Sequence, residues 1–420
     1  MHIQPQLLHI STSKVGLSVI GLAAVSMALA ILFLVQPGQA GTASAQAGVT
    51  PTQAPPPTAT ATPTIASLPM SPTSKPAPTM TDFWNGLAQW VLQIPDTGLP
   101  VGESDTVDMG NGVLWSFLHA SYQSAGVVDS CGNPVPFPGC VTKWVSTDGG
   151  QHFALSKPQC ILRCNSCPCA EEDLVRQQQY PRVARSQQGM FYMLFEHDAE
   201  TWLTTSYDGI DWTRPRLNPK TGEWHTSDAP CPPDMKIGPH PSFPVDYNCL
   251  AGGPPGIFVT PFRLFEYIGF GEDPAHLGCY WSWLSDVYTF FPCSANPQLT
   301  GAAEYGPLDA FGGAANPYFD FRYMTSADII RQDEMYYMTY EGIRGPSSPS
   351  AGRDNQFALG FARSIVLNGL WEKYPGNPAL QGVIDNWGIG HADLIVLNRV
   401  TYMYTGIPGN TRGRYALEYK

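Results

Sequence analysis

Charge is what this 420-residue chain has least of. Only 14% of its residues are Asp, Glu, Lys or Arg, against roughly 25% in an average soluble protein. That shortage argues against coiled coils and helical bundles, which rely on charged, glycine-poor runs. Basic residues are the scarcer sign, 23 Lys and Arg against 35 Asp and Glu, for a formal net charge of −12. A surface of that sign repels phosphate backbones, so nucleic acid is not an expected partner. No P-loop and no dinucleotide-binding glycine fingerprint stands out. No cysteine precedes Cys131 or follows Cys293. In place of charge the chain carries 41 Gly, 40 Pro and 12% aromatics, the composition of a turn-rich, aromatic-rich fold.

No charge interrupts residues 15–35, VGLSVIGLAAVSMALAILFLV. A helix of that length spans a hydrocarbon core of roughly 30 Å. Lys14 precedes it and no Lys or Arg follows until Lys75, a bias that keeps the N-terminus in the cytoplasm and exports the rest. Residues 1–40 are therefore read as a signal-anchor that makes the membrane a partner and places the domain outside the cytoplasm. The competing reading is a cleaved signal peptide, with sites at Ala43-Ser44-Ala45 and Ala45-Gln46-Ala47 and a secreted domain. Residues 41–80 form a Pro/Thr-rich linker. Pro, Thr, Ala and Ser make up 24 of the 30 residues in 51–80, which leaves almost nothing to bury and predicts disorder. In an exported protein an even set of ten cysteines reads as disulfides, with Cys131/Cys140, Cys231/Cys249 and Cys279/Cys293 as local pairs. Cys160, Cys164, Cys167 and Cys169 (CILRCNSCPC) are an alternative zinc or iron–sulfur set, which the exported setting disfavours.

Residues 81–420 repeat. SADIIRQDEMYYM at 326–338 returns as HADLIVLNRVTYM at 391–403, and related two-strand units begin near Asp105, Arg182 and Gly256. Aligning Trp115, Tyr192, Tyr267, Tyr337 and Tyr402 gives spacings of 77, 75, 70 and 65 residues. Repeats of that length made of short alternating strands predict an all-β fold, a five-bladed β-propeller of four-stranded antiparallel blades. The fifth unit ends after a third strand, RYALEYK, so the segment around Val91–Ile94 is expected to supply the fourth and remove the free edge. Residues 82–94 also fit helical spacing. Turns such as Ser146-Thr-Asp148-Gly-Gly and Ser206-Tyr-Asp208-Gly are expected to be structural, their side chains bonding to the turn's own backbone.

In a propeller the innermost strands start at one face, and the second strands end at that same face. Asp105, Arg182, Asp328, His391 and Asp393 open first strands, Glu196 and Glu341 close second strands, and Glu272 and Asp273 follow one. These residues are expected to converge on one mouth. Clustered carboxyls push one another's pKa values apart, which is what paired acid and base catalysis uses. Strand-capping is the competing role for Asp328 and Asp393, and a solvated strand end for Glu196 and Glu341. His391 has no counterpart in the other repeats.

Ser-x-Asp-Gly-x-x-Trp turns, WEKYPGNPAL (371–380) and WGIGHADLIV (387–396) resemble the five-bladed propeller glycosidases, the superfamily of arabinanases, β-xylosidases, invertases and levansucrases. The resemblance covers about 81–420. It implies glycoside hydrolysis by carboxylates at the mouth, a carbohydrate substrate, and a channel-facing His at Gly390-His391 near an ion or water. It also implies Asp105 as base or nucleophile. Glu341 is then the acid, with Asp328 as its like-charged neighbour, and Arg182, Glu196, His391 and Asp393 bind substrate. No cofactor is required and no residue is assigned to a metal, although a structural or channel ion stays open. Blade three departs from the family pattern, opening on Gly253-Pro254-Pro255-Gly256 with no acid. A non-catalytic surface propeller that binds glycan or protein is therefore the alternative.

Overall fold

A computed structural model of the chain describes residues 75–164, 166–169, 178–197, 200–213, 249–251, 254–270, 276–301, 319–320, 323–343, 357–381, 389–407 and 411–420. The anchor segment, most of the linker, Cys231, Glu272 and Asp273 lie outside them. Among the described residues no helix is long and apolar enough to cross a membrane.

A short helix, α1 (Met80–Trp84), is closed by a capping box between Thr79 and Asp82 and leads into strand β1 (Ala88–Ile94). The first blade is β2 (Ser104–Gly110), β3 (Val113–Ala120), β4 (Cys140–Ser146) and β5 (Ala154–Leu155). The second is β6 (Gln179–Arg185), β7 (Phe191–His197), β8 (Glu200–Ser206) and β9 (Cys249–Ala251). The third is β10 (Pro255–Val259), β11 (Arg263–Phe270), β12 (His276–Trp283), β13 (Asp286–Pro292) and a short β14 (Leu299–Thr300) that also pairs with β12. The fourth is β15 (Tyr323–Gln332), β16 (Met335–Ile343), β17 (Ala358–Ser364) and β18 (Glu372–Lys373). The fifth comprises β19 (Asp393–Leu397), β20 (Val400–Ile407) and β21 (Thr411–Tyr419), completed by β1 in the order β1-β21-β20-β19.

All five sheets are antiparallel, and the ring closes as the missing fourth strand required: Ala88 faces Tyr419 and Val91 faces Ala416. The helix-or-strand ambiguity over 82–94 resolves into both. Phe83 and Trp84 end the helix packed against Tyr374, and the strand starts four residues later. Core clusters fill the gaps between neighbouring sheets, one gathering Phe117 of blade one with Phe191, Met193 and Phe195 of blade two. Another gathers Tyr267 and Leu277 of blade three with Met324, Met338 and Tyr340 of blade four. This is why the repeats need large apolar residues on both faces of each sheet.

The Ser-x-Asp turns lie at the face opposite the mouth and are structural. Asp148 accepts from the backbone N–H of Gln151 and His152, and Asp208 accepts from Ile210 and Asp211. Gly150, at φ +81°, ends one such turn, and its carbonyl accepts from the Tyr404 hydroxyl of blade five at 2.9 Å. The asparagines of two Asn-Pro pairs serve as strand substitutes. Asn296 exchanges two hydrogen bonds with the backbone of Cys279, and Asn377 does the same with Phe361.

Among the described residues the cysteines pair as Cys131–Cys167, Cys140–Cys160, Cys164–Cys169 and Cys279–Cys293. The expected Cys279–Cys293 bridge is present. Cys131–Cys140 is not, because Cys140 opens β4 and the returning chain lies alongside it: Ile161 N–H donates to the Val141 carbonyl at 3.0 Å, bringing Cys160 to Cys140. All four cysteines of CILRCNSCPC are disulfide-bonded, as the exported setting led one to expect.

Candidate functional site

Strand register fixes the layers of the channel. The aligned aromatics Trp115, Tyr192, Tyr267, Tyr337 and Tyr402 face Val107, Ala184, Gly256, Ile330 and Ile395 on the innermost strands. Two residues toward the mouth, the equivalent positions hold Asp105, Arg182, Pro254, Asp328 and Asp393. Four residues expected at the mouth therefore share one ring. The three aspartates are buried, each with a carboxylate oxygen within 4.8 Å of the others.

Each aspartate also clasps the innermost strand of the following blade. Asp105 Oδ2 accepts from Val183 N–H of β6 at 2.5 Å, and Asp328 Oδ2 accepts from Leu394 N–H of β19. Asp393 Oδ2 closes the circle by accepting from Thr106 Oγ1 at 2.6 Å and Ser104 Oγ at 3.2 Å. Arg182 is the ring's counter-charge, and it spans the channel to the carbonyls of Ser104 (3.2 Å) and Ser326 (3.1 Å). Burial dominates these acids. It raises the pKa of Asp105 well above the usual carboxylate range, with the charges of Asp328 and Asp393 adding to the rise. Burial likewise raises Asp328 against the pull of Arg182. Burial and Asp328 push Asp393 up to about 6.

One layer nearer the mouth stand Glu103, Tyr180, Ser326 and His391. Tyr180, Ser326 and His391 all take left-handed backbone, with φ of +51°, +51° and +57°. For residues with a Cβ this costs about 1–3 kcal/mol each and persists only where the surroundings enforce it. Two arginines help enforce it. Arg182 takes the carbonyl of Ser326, while Arg412 takes those of His391 (2.6 Å), Tyr404 (2.8 Å) and Gly102.

His391 is the hub of this layer. Its Nε2 lies 2.5 Å from Glu103 Oε1 and its Nδ1 lies 2.7 Å from Glu341 Oε1, to which its backbone N–H also donates. His119 Nδ1 approaches the other oxygen of Glu103 at 2.8 Å. The Tyr180 ring stands 5.5 Å from the His391 ring and 6.1 Å from that of His119. Burial alone would lower the pKa of His391, but Glu103 and Glu341 outweigh it and lift the imidazole to about 10. Burial would raise Glu103, but His391 and His119 together hold it well below the usual range. Burial raises the Tyr180 phenol, and the charges of Glu103, Glu196 and Glu341 add to the rise. Solvent reaches 30% of the His391 side chain, but only 5% of Glu103 and 1% of Glu341.

With both ring nitrogens taken by carboxylates, His391 has no lone pair to offer an ion. The resemblance's channel ion therefore does not fit this residue. Among the described site residues, the sequence missed Glu103, His119, Tyr180 and Arg412. His119 occupies the place that Glu196 and Glu341 hold in their blades, four residues after the aligned aromatic, so the repeat alignment contained the signal. Glu103 precedes the strand it serves, and Arg412 lies on an outer strand.

No family model matches the sequence, and no curated protein matches it. Among solved structures, a glycosyl hydrolase from Bacteroides ovatus is 15% identical with a TM-score of 0.47, covering 78% of this chain and 86% of that one. An exo-1,5-α-L-arabinanase from a bovine ruminal metagenomic library is 12% identical with a TM-score of 0.44, covering 78% and 95%. An α-L-arabinofuranosidase from Podospora anserina, solved in complex with cellotriose, is 12% identical with a TM-score of 0.44, covering 79% and 96%. Identities this low assign no role to any residue.

Proposed function

We propose that the mouth of the propeller is a carbohydrate site that hydrolyses glycosidic bonds. The observation that carries this reading is that one funnel holds carboxyl groups driven in opposite directions. Glu103 is held ionised by His119 and His391, while Asp105, two residues on, is pushed toward its protonated form. Glycoside hydrolysis needs that combination, a carboxylate to activate water and a carboxylic acid to protonate the leaving oxygen.

In this scheme Glu103 is the base. Asp105, the base or nucleophile by family resemblance, is the carboxyl whose surroundings favour the neutral form, and it serves as proton donor once substrate displaces the Glu103–His391 layer that covers its buried ring. Glu341, the donor by strand position, holds the imidazolium of His391 in place, and Asp328 contributes the like charge that keeps Asp105 protonated. Tyr180, Glu196 and the exposed edge of His391 meet the sugar. Arg182 and Asp393 act from beneath, through the ring.

A non-catalytic glycan-binding propeller is the second reading. It is favoured by Pro254 at blade three's ring position and by the near-complete cover that His391 gives to Glu103 and Glu341. The test is a glycan panel assayed for both binding and reducing-end release. Wild type is compared with Glu103→Gln, Asp105→Asn and Glu341→Gln. The proposal expects turnover that falls at least 100-fold in Glu103→Gln and Asp105→Asn with binding retained. Turnover that survives both substitutions would overturn the role assignment, and binding without turnover would select the second reading.

A further inference from the structure

Exposed apolar side chains are distributed unevenly over the propeller. Of the eleven large hydrophobic residues exposed among the described residues, eight lie at the face opposite the mouth. The strand registers place them there, because the β10–β11 turn, the end of β12 and the segment after β17 all lie at that end. The densest group belongs to blades three and four. Phe262 is 73% exposed, Ile365 and Leu370 are each 72% exposed, and Trp283 and Val366 stand beside them. Phe262, Trp283, Ile365 and Val366, together with Tyr336, line a groove of about 460 Å³, and Leu370 is exposed at the same end.

Guanidinium groups edge the same patch. Arg263 lies over the rings of Trp281 and Trp283 at 4.3 and 4.6 Å and Arg331 lies over Tyr336, while Arg363, over Trp84 of α1, is paired with Glu372 at 2.8 Å. Tryptophan, phenylalanine and aliphatic tips ringed by arginines are the chemistry that suits a bilayer's headgroup boundary. There, aromatic rings sit at the interface, and arginine stems lie along apolar surface with the charge at phosphate depth.

The chain itself enters the fold at this face. Met80 N–H is held by Gln332, beside the β15–β16 turn, and Trp84 is covered by Arg363, two residues before Ile365. Thirty-nine residues separate Val35, the end of the uncharged run, from Lys75. A Pro/Thr-rich stretch favours extended polyproline geometry and so reaches farther than a Gly/Ser coil of equal length. A membrane tether would raise the domain's effective concentration at the bilayer, so that a modest affinity of the face itself would suffice for docking.

We propose that the propeller docks on the lipid bilayer through Phe262, Trp283, Ile365, Val366 and Leu370, leaving the mouth turned away from the membrane. The proposal rests on the reading of residues 15–35 as an anchor. Its test exploits the absence of tryptophan before Trp84: all eleven tryptophans lie at or after it, so quenching by lipid-borne bromine reports on the fold and not on the anchor. Full-length protein is reconstituted into phosphatidylcholine vesicles with and without acyl chains brominated near the glycerol, and flotation is followed in parallel.

Docking predicts an emission loss on the order of a tenth, the share of one tryptophan in eleven. Trp283→Phe abolishes that loss, and so does the combined Phe262→Ser, Ile365→Ser and Leu370→Ser variant. Flotation without quenching would overturn the docking face and leave the anchor standing. Quenching unchanged in either variant would do the same. Failure to float would overturn the anchor, and the proposal with it.

Discussion

Replacing Asp393 with asparagine should stabilise the protein at neutral pH, against the usual expectation for a fully buried, hydrogen-bonded residue. Burial and Asp328 lift the Asp393 carboxyl from 3.8 to about 6. A carboxyl raised in the folded state binds its proton more tightly there than in the unfolded chain. Folding therefore becomes less favourable as the pH climbs from about 4 to about 6, and the penalty is complete above that. Each pH unit is worth about 1.4 kcal/mol, so the rise corresponds to about 3 kcal/mol. Asparagine never ionises, and its carbonyl still accepts from Thr106 and Ser104 at a cost of about 1 kcal/mol for the weaker bonds. The variant should therefore be about 1 kcal/mol less stable than wild type at pH 4 and about 2 kcal/mol more stable at pH 7.5. Equilibrium unfolding in urea at the two pH values, with disulfides intact, measures both. A stability difference independent of pH would mean that Asp393 titrates as an ordinary aspartate, and the account of a mutually destabilised ring would fail.

His391 should remain an imidazolium at pH 8, which nitrogen chemical shifts of labelled histidine can report. Its raised pKa stabilises the fold fully below about pH 6.5, and that contribution fades as the pH approaches about 10. His391→Gln should cost about 3–5 kcal/mol at pH 7 by leaving Glu103 and Glu341 without their shared cation. A loss below 1 kcal/mol in thermal or urea unfolding would contradict the bridging geometry. Tyr404→Phe removes only the hydroxyl that joins blade five to the Gly150 carbonyl, and should lower stability by about 1 kcal/mol. An unchanged melting temperature would show that this junction contributes nothing.

Much of the fold was legible because a propeller repeats its physics. Five aligned aromatics revealed five blades. The incomplete last unit pointed to closure by the segment around Val91, and the face rule gathered Asp105, Arg182, Asp328, His391 and Asp393 at one mouth, of which the structure sets all but His391 in a single layer. That layer lies one step deeper than the mouth, and the difference is a matter of backbone. The left-handed residues Tyr180, Ser326 and His391 offset the strand openings, and a positive φ in a non-glycine residue leaves no trace in composition. Glu103 and Arg412 were illegible for a related reason, since each sits off the repeat positions and ties its own blade to the neighbouring one, Glu103 through His119 and His391 and Arg412 through His391, Tyr404 and Gly102. Cys131 showed the limit of reasoning from proximity in sequence. Cys140 is nine residues away, but the loop returning beside β4 brings Cys160 to Cys140 and leaves Cys131 to Cys167.

The pairing of β1 with β21 also constrains the order in which the protein can become itself. Ala88 waits for Tyr419, so a ribosome or an export channel releasing the chain from its N-terminus delivers one half of the seam first and the other half last. Until then blade five is short a strand, and β1 presents unpaired backbone that any neighbouring strand could capture. Drawing the ends of so long a segment together costs entropy that grows only logarithmically with its length, so the delay is one of sequence in time more than of free energy. The ring is thus a lock whose bolt is made at the beginning and whose keeper arrives at the end.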